Sequence, residues 1–258
     1  MMGNYTLGDC TCAAAGHMVQ CWTVNTGDET AIPARQIVKA YEAVSGYNPK
    51  TGKNDNGAQA LDVLRYWRKN GIGGHKIVAF ASVNHRDKKM IREAIYLFGG
   101  IYAGIQLPKS IKGQQVWEEP PAGLKGKGAV GSLGGHAIAI LDYDDTGLTC
   151  ITWGKKRKMT WDFWEAYADE AYGVLSEQFF KGKKTPAGLD LKALEADLLN
   201  ITREKISLVK ELTGKKPDAG ARATPKKSLG NGKSAKGSEP GKVVKKKKTL
   251  GHSGGNGG

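Results

Sequence analysis

Residues 6–15 read Thr-Leu-Gly-Asp-Cys-Thr-Cys-Ala-Ala-Ala, and residues 134–140 read Gly-Gly-His-Ala-Ile-Ala-Ile. The first stretch opens a predicted helix at Cys10, and the second opens a predicted apolar strand at His136. A free thiol has a pKa of about 8.5, which a helix N-terminus and a neighbouring imidazolium lower. A cysteine at a helix start that is met by a histidine from a distant strand is therefore the arrangement that a thiol hydrolase needs.

The composition limits the class of protein. The chain has 258 residues, of which 40% are hydrophobic, so it is long enough to bury a full core. It has no run of about 18 apolar residues and no signal-peptide pattern at its start, so we expect no membrane span and no classical secretion. We expect one globular domain at residues 1–180, a linker at 181–189, and a location in the cytoplasm, or in a virion if the gene belongs to a phage.

Cysteine usage argues against covalent cross-links and metal sites. The four cysteines are Cys10, Cys12, Cys21 and Cys150, and three of them crowd into one early helix. A disulfide framework is not predicted from so few. A zinc site made from the three early cysteines and a histidine is the alternative, but it lacks the paired short spacings of common zinc modules. We therefore expect no metal and no cofactor.

Hydrophobic periodicity predicts helices first and strands later. Helical spacing places three helices at residues 10–24, 33–45 and around 61–67. A strand at 75–81, a helix at 87–98 and a strand at 101–107 follow, then a long Gly-, Lys- and Pro-rich loop at 108–133. Strands at 136–143, 147–153 and 158–160, a short helix at 161–168 and a strand at 171–175 complete the domain. This order predicts an α+β fold of two lobes, helical and antiparallel sheet, with a cleft between them.

The residues after the domain follow two other patterns. Residues 190–213 carry a heptad seam of about three repeats, in which Lys205 takes one apolar position. The seam predicts either self-association into a homo-oligomer or a helix that docks onto the domain. Residues 214–258 hold twelve Lys or Arg against Asp218 and Glu239, and so carry ten of the chain's fourteen net positive charges. Such a composition predicts disorder.

The basic tail predicts an electrostatic partner. Its densest patch is Lys245, Lys246, Lys247 and Lys248, and no aromatic residue lies within residues 214–258. A flexible polycation binds phosphate polymers by releasing counterions, and without aromatic residues it contacts the backbone rather than stacking on bases. We expect nucleic acid or another polyanion as partner, with a purely solubilising tail as the alternative.

Three motifs resemble those of the papain-like cysteine peptidases. Gly8-Asp9-Cys10 resembles the Gly-x-Cys that opens that family's central helix, and Asn4 stands six residues before the cysteine, where the family has an amide side chain. Residues 135–143 resemble its histidine strand. Residues 151–154, Ile-Thr-Trp-Gly, are similar to its Asn-Ser-Trp-Gly segment. The three occur in the family's order over residues 1 to about 176, and the member would be of phage or bacterial type.

The resemblance implies a role for each matching residue. Cys10 would be the nucleophile rather than Cys12, because only Cys10 has the glycine and the amide at the family's spacings. His136 would be its base, Asn4 would help to form the oxyanion hole, and Trp153 would shield the pair from water. A peptide or protein would be the substrate, with no cofactor and no membrane.

One position departs from the family pattern. Ile151 stands where the family has the asparagine that orients the imidazole, and an isoleucine side chain forms no hydrogen bond. Asp142 is six residues along the strand from His136, about 20 Å at ~3.3 Å per residue, and cannot replace it. Three alternatives remain open: a Cys–His dyad, an orienting residue from another segment, or an inactive scaffold of structural or virion-associated type. An acyl transferase using the same acyl-enzyme is a further possibility.

Overall fold

The computed structural model describes residues 1–179 and Asp190. The predicted linker at 181–189, nearly all of the heptad helix at 190–213 and the basic tail at 214–258, including Lys245 to Lys248, lie outside the described residues and stay predictions. Among the described residues, no helix is both long enough and apolar enough to cross a bilayer.

Residues 1–179 form five α-helices, and the first three come from the start of the chain as predicted. Their bounds are α1 Cys10–Thr26, α2 Ala34–Ser45, α3 Ala60–Asn70, α4 Lys88–Phe98 and α5 Trp161–Tyr167. Helix α1 is buried along most of its length. Its Trp22 indole N–H donates to the Phe98 carbonyl at 2.8 Å and its ring stacks on Trp67 of α3. The helix that carries Cys10 is therefore the buried, central helix of the lobe formed by α1, α2 and α3.

Within the described part of the chain, seven strands form one sheet in the order β1-β7-β2-β4-β5-β6-β3. Their bounds are β1 Ile77–Ser82, β2 Ile101–Leu107, β3 Val116–Trp117, β4 Gly134–Tyr143, β5 Gly147–Thr152, β6 Lys155–Thr160 and β7 Ala168–Ser176. All neighbours are antiparallel except β3 and β6, which are parallel. The α+β class is confirmed, and the sheet differs from the predicted one by this parallel edge.

Strand alternation gives the sheet two buried faces. Tyr102 and Ala139 pack into the core that contains α1, α2 and α3. Their neighbours Ala103 and Ile138 pack into the second core, which contains α4 and α5. Successive side chains of a strand point to opposite faces, so near-continuous apolar strands are what a sheet covered on both sides requires.

The segment at 108–133 is less irregular than predicted. It contains β3 and two short 3₁₀ turns at Lys109–Ile111 and Gly126–Gly128. Trp117 in β3 is only 2% exposed and pairs with Met159 of β6. A two-residue strand has too few positions to show an alternating pattern, so it could not be predicted from hydrophobic periodicity.

Candidate active site

Cys10 is the first residue of α1, and the chain before it is held in place by polar contacts. The Gly8 N–H donates to the Asp55 carboxylate at 2.8 Å, and the Tyr41 hydroxyl donates to the same oxygen at 2.7 Å. Tyr41 also accepts from the Gly57 N–H at 3.0 Å. The loop around residue 55 therefore fixes the entry to α1 and with it the position of the Cys10 sulfur.

Opposing influences act on the Cys10 thiol. Burial is the largest and raises its pKa above the ordinary value, and the Asp9 carboxyl raises the pKa further. Backbone hydrogen bonds from Ala137 and Thr11 lower it. The first N–H groups of a helix have no partner within it and stabilise negative charge. The net effect is a raised pKa, because burial is the largest influence, so the thiol keeps its proton until a base removes it.

His136 lies in β4, next to Ala137, whose backbone forms a hydrogen bond with the Cys10 sulfur. It is 9% exposed, and burial lowers its pKa to about 4. Its Nε2 is joined to the Thr152 hydroxyl by a 2.7 Å hydrogen bond. The ring is therefore neutral at neutral pH, and in the tautomer whose Nε2–H donates to the Thr152 hydroxyl, Nδ1 carries a lone pair that can take a proton.

Trp153 covers His136 from a strained turn. The two rings stack with centroids 4.5 Å apart and planes 20° from parallel. Trp153 has φ +47 and Gly154 has φ +69, and together they form the two-residue turn between Thr152 and Lys155. Left-handed backbone is unusual for a bulky side chain and costs of order 1–3 kcal/mol, a strain that clusters at functional sites. The strained turn therefore holds the Trp153 indole over the His136 imidazole.

Trp153 is supported from behind by Trp117, whose ring meets it edge-on at 6.1 Å. Trp117 in turn packs on Phe163 of α5 at 5.6 Å. An unbroken row of aromatic rings thus runs from His136 into the second core. This explains why Trp117 is buried although it lies in a segment that reads as a loop.

Thr152 is the site residue that sequence reasoning missed. The resemblance placed the orienting position at Ile151, two residues before Trp153, and isoleucine cannot fill it. In the structure the adjacent Thr152 supplies the hydrogen bond, and it is 5% exposed. Ile151 pairs with Lys156 and Thr152 with Lys155 in the β5–β6 hairpin, so the two residues point to opposite faces of the sheet. The sequence does place a hydroxyl-bearing residue, Thr152, directly after the position where the orienting asparagine was expected.

Asn4 lies close to Cys10. Both line a very small cavity of about 10 Å³, together with His17, Thr152 and Trp153. One amide hydrogen of Asn4 donates to the Leu7 carbonyl at 3.1 Å. The amide also acts on the neighbouring Asp9 carboxyl and lowers its pKa.

Asp9 is a second residue whose importance the sequence did not reveal. It is 0% exposed, and neither carboxyl oxygen has a hydrogen-bond partner of normal geometry among the described residues. Burial raises its pKa to about 7, while the nearby Asn4 amide and the N-terminus lower it. A buried carboxyl thus sits directly before the thiol, where its charge opposes thiolate formation.

The other cysteines lie in different surroundings from Cys10. Cys12 is 0% exposed within the helical core, and burial raises its pKa to about 12. Cys150 is equally buried, with its pKa also raised to about 12 by burial. All four cysteines are free. Among residues 1–179 and Asp190, no three His, Cys, Asp or Glu side chains are grouped as a metal site requires.

Cys10 and His136 both line one open cavity of about 490 Å³. The start of α1 and the loop before α3, residues 56–60, form one wall. Gly104 to Gln106 of β2, the start of β4, and Asp169 and Glu170 of β7 form the other. The structure therefore brings the two predicted reacting side chains to one groove between the helical lobe and the sheet.

The fold is similar to that of known cysteine proteases, although neither a protein-family profile nor a curated protein sequence matches the chain. Xylellain, a cysteine protease from Xylella fastidiosa, is 16% identical; the match covers 66% of this chain and 80% of xylellain, with a TM-score of 0.50. The Carica candamarcensis cysteine protease CMS1MS2 is 12% identical; the match covers 66% of this chain and 89% of CMS1MS2, with a TM-score of 0.48. At such identities the likeness to xylellain speaks for the fold alone. The chain has the papain-like cysteine protease fold.

Proposed function

We propose that this protein is a cysteine peptidase that uses Cys10 as nucleophile and His136 as base. The observation that carries the proposal is their shared groove: the thiol at the start of α1 and the imidazole of β4 line one cavity. The hydrogen bond between His136 Nε2 and the Thr152 hydroxyl adds a third group that holds the ring's orientation. A nucleophile, a base and a group that orients the base are the parts that covalent acyl transfer requires.

The reaction follows from the protonation states of the resting site. The neutral His136 ring takes the Cys10 proton while the sulfur attacks the substrate carbonyl carbon. The C–N bond then breaks, the acyl group stays on sulfur as a thioester, and the departing amine takes the proton from His136. A water molecule gives a proton to His136 and its oxygen to the acyl group, which releases the acid and restores the thiol. The imidazolium and thiolate formed on the way stabilise each other.

The negative oxygen of the intermediate needs donors. We assign this role to the Cys10 backbone N–H, at the start of α1, and to the side-chain amide of Asn4. Donors of this type are worth roughly 3–4 kcal/mol in the transition state. The position of Asn4 beside Cys10 supports the assignment.

Labelling by a thiol-directed epoxide tests the proposal. We expect one equivalent of label on the wild-type protein, attached to Cys10, because Cys10 alone among the described cysteines shares the open groove with His136. Cys10→Ala should lose the label and all peptide hydrolysis. Cys12→Ala is the matched control and should keep both, since its thiol is enclosed in the core. Mass mapping of the labelled peptide identifies the residue, and equal labelling of both variants would refute the assignment.

Thr152→Val tests the orienting hydrogen bond. Valine keeps the branched shape but leaves Nε2 of a buried ring without its partner, a loss of about 1–3 kcal/mol for a buried polar group. We expect kcat to fall about ten-fold with little change in KM, because the bond acts on the base rather than on substrate binding. Thr152→Ser retains a hydroxyl and should recover most of the rate. Equal rates for the valine and serine variants would remove Thr152 from its role.

The principal rival is an inactive scaffold of papain-like fold. The raised pKa of Cys10 in the resting site is the observation that favours it. The two functions differ in their pH–rate behaviour. An active enzyme gives a profile with an acid limb from His136, whereas a scaffold turns over no peptide at any pH.

A further inference from the structure

Two acidic side chains stand in the groove opposite the helical wall. Asp169 and Glu170 belong to β7, which is irregular where it pairs with Gly104 and Ile105 of β2. A methyl group placed on Gly104 would stand 2.8 Å from an oxygen of each carboxylate. The two oxygens therefore lie no farther apart than twice that distance. The absence of a side chain at Gly104 is what lets both carboxylates fold over β2.

Both carboxylates are held by neighbours. The Gln106 amide donates to Asp169 Oδ2, and the Tyr172 hydroxyl donates to Glu170 Oε2 at 2.9 Å. Asp169 is exposed and Glu170 is half-buried, and both line the groove that contains Cys10. They are fixed groups that already face the place where substrate would lie.

The charge of the groove is opposite to that of the chain. Asp62, Asp169 and Glu170 are the charged groove-lining residues in the described part of the chain, and all three are acidic, although the whole chain carries +14. Asp62 is paired with Arg65 at 3.4 Å. Asp169 and Glu170 have no ion-pair partner among residues 1–179, so they supply the groove's uncompensated negative charge.

We infer that the groove selects peptide substrates by a lysine or arginine side chain that binds between Asp169 and Glu170. The inference rests on the peptidase function proposed above and names its substrate class. Two carboxylates this close repel each other, and a single cation placed between them removes the repulsion and donates a charge-assisted hydrogen bond to each. Neutral side chains leave the repulsion in place, and acidic ones add to it.

Two sources supply such a peptide. One is a second protein, and the other is this chain's own residues 214–258, which contain twelve Lys or Arg. The chemistry recognised is the same in both cases. The intact wild-type chain distinguishes them: cuts within residues 214–258 that appear by mass spectrometry, at a rate independent of protein concentration and absent from Cys10→Ala, assign the chain itself as substrate. Cleavage of added lysine peptides with an uncut tail assigns another protein.

The test compares three peptides that differ at one position, lysine, norleucine or glutamate, scanned along an otherwise identical fluorogenic sequence. We expect kcat/KM to favour lysine over norleucine by about ten-fold at one position, as one well-placed charge pair allows, and to reject glutamate. Asp169→Asn with Glu170→Gln should abolish the preference for lysine over norleucine. The matched control is Asp162→Asn with Glu165→Gln, which removes two exposed carboxylates of α5 outside the groove. This control variant should keep the preference for lysine over norleucine.

Binding to Cys10→Ala, measured by fluorescence anisotropy with the same peptides, separates this inference from the peptidase proposal. Lysine-selective binding without turnover by the wild type sustains the cation site and refutes peptide hydrolysis. Turnover without discrimination between lysine and norleucine sustains the peptidase and overturns the cation site. Discrimination that survives the double substitution of Asp169 and Glu170 also overturns it.

Discussion

His136→Ala is expected to lower kcat/KM for peptide hydrolysis by about 10²–10⁴-fold, the usual contribution of a positioned general base and acid. The loss follows from the resting protonation states. Burial raises the pKa of Cys10, so the thiol is protonated at neutral pH and depends on a neighbouring base. Burial lowers the pKa of His136 to about 4, so the ring is neutral and able to act as that base. Without the ring, the thiol has no acceptor for its proton.

The pH–rate profile gives a sharper measurement than the rate alone. The wild-type kcat/KM should rise through an acid limb near the His136 pKa of about 4, and the variant's residual activity should lack that limb. His85→Ala is the matched control, because the structure uses only the His85 backbone carbonyl, which accepts from Trp164. A His136→Ala protein that keeps more than a tenth of the activity, or the same acid limb, would contradict the assignment.

The local patterns were sufficient to predict the fold. Apolar spacing located α1 to within two residues of its observed end and placed β2 at its observed bounds, because both elements are long and periodic. The parallel pairing of β3 with β6 could not be predicted from the sequence. It depends on where a long connection returns across the sheet, and the sequence of a two-residue strand contains no information on that path.

The site was predictable where it depends on sequence spacing and unpredictable where it depends on turns and irregular strand pairing. Cys10 and His136 each stand at the start of a periodic element, so their positions could be proposed. Thr152 was missed because the turn at Trp153 and Gly154 decides which residue faces the imidazole. Asp169 and Glu170 reach the groove through an irregularity in β7 over Gly104, which shows only in the strand register.

Asp9→Asn is expected to stabilise the fold at pH 8. Asp9 is 0% exposed and its oxygens have no hydrogen-bond partner of normal geometry among residues 1–179. Burial raises its pKa from 3.8 to about 7 in the folded protein. Below pH 4 the carboxyl is protonated in both states and has no pH-dependent effect. Between about 4 and 7 it ionises only in the unfolded chain, so stability falls as pH rises, and above 7 the full cost remains.

Asparagine has nearly the shape of the carboxyl but never ionises, so the substitution isolates this cost. A shift of three pKa units corresponds to about 4 kcal/mol at 1.36 kcal/mol per unit, and we expect a gain of about 2–4 kcal/mol at pH 8 and little difference at pH 4. Urea unfolding at both pH values measures it. Asp145→Asn, whose side chain is 96% exposed in a turn, should show no such pH-dependent gain.

The same substitution should also change the thiol. Ionised Asp9 raises the pKa of the adjacent Cys10, so its removal should speed epoxide labelling of Cys10 at neutral pH. Stability and reactivity would then rise together, because one buried charge opposes both folding and thiolate formation. An Asp9→Asn protein that is no more stable than the wild type at pH 8, or whose stability advantage is equal at pH 4 and pH 8, would show that the fold does not raise the pKa of Asp9.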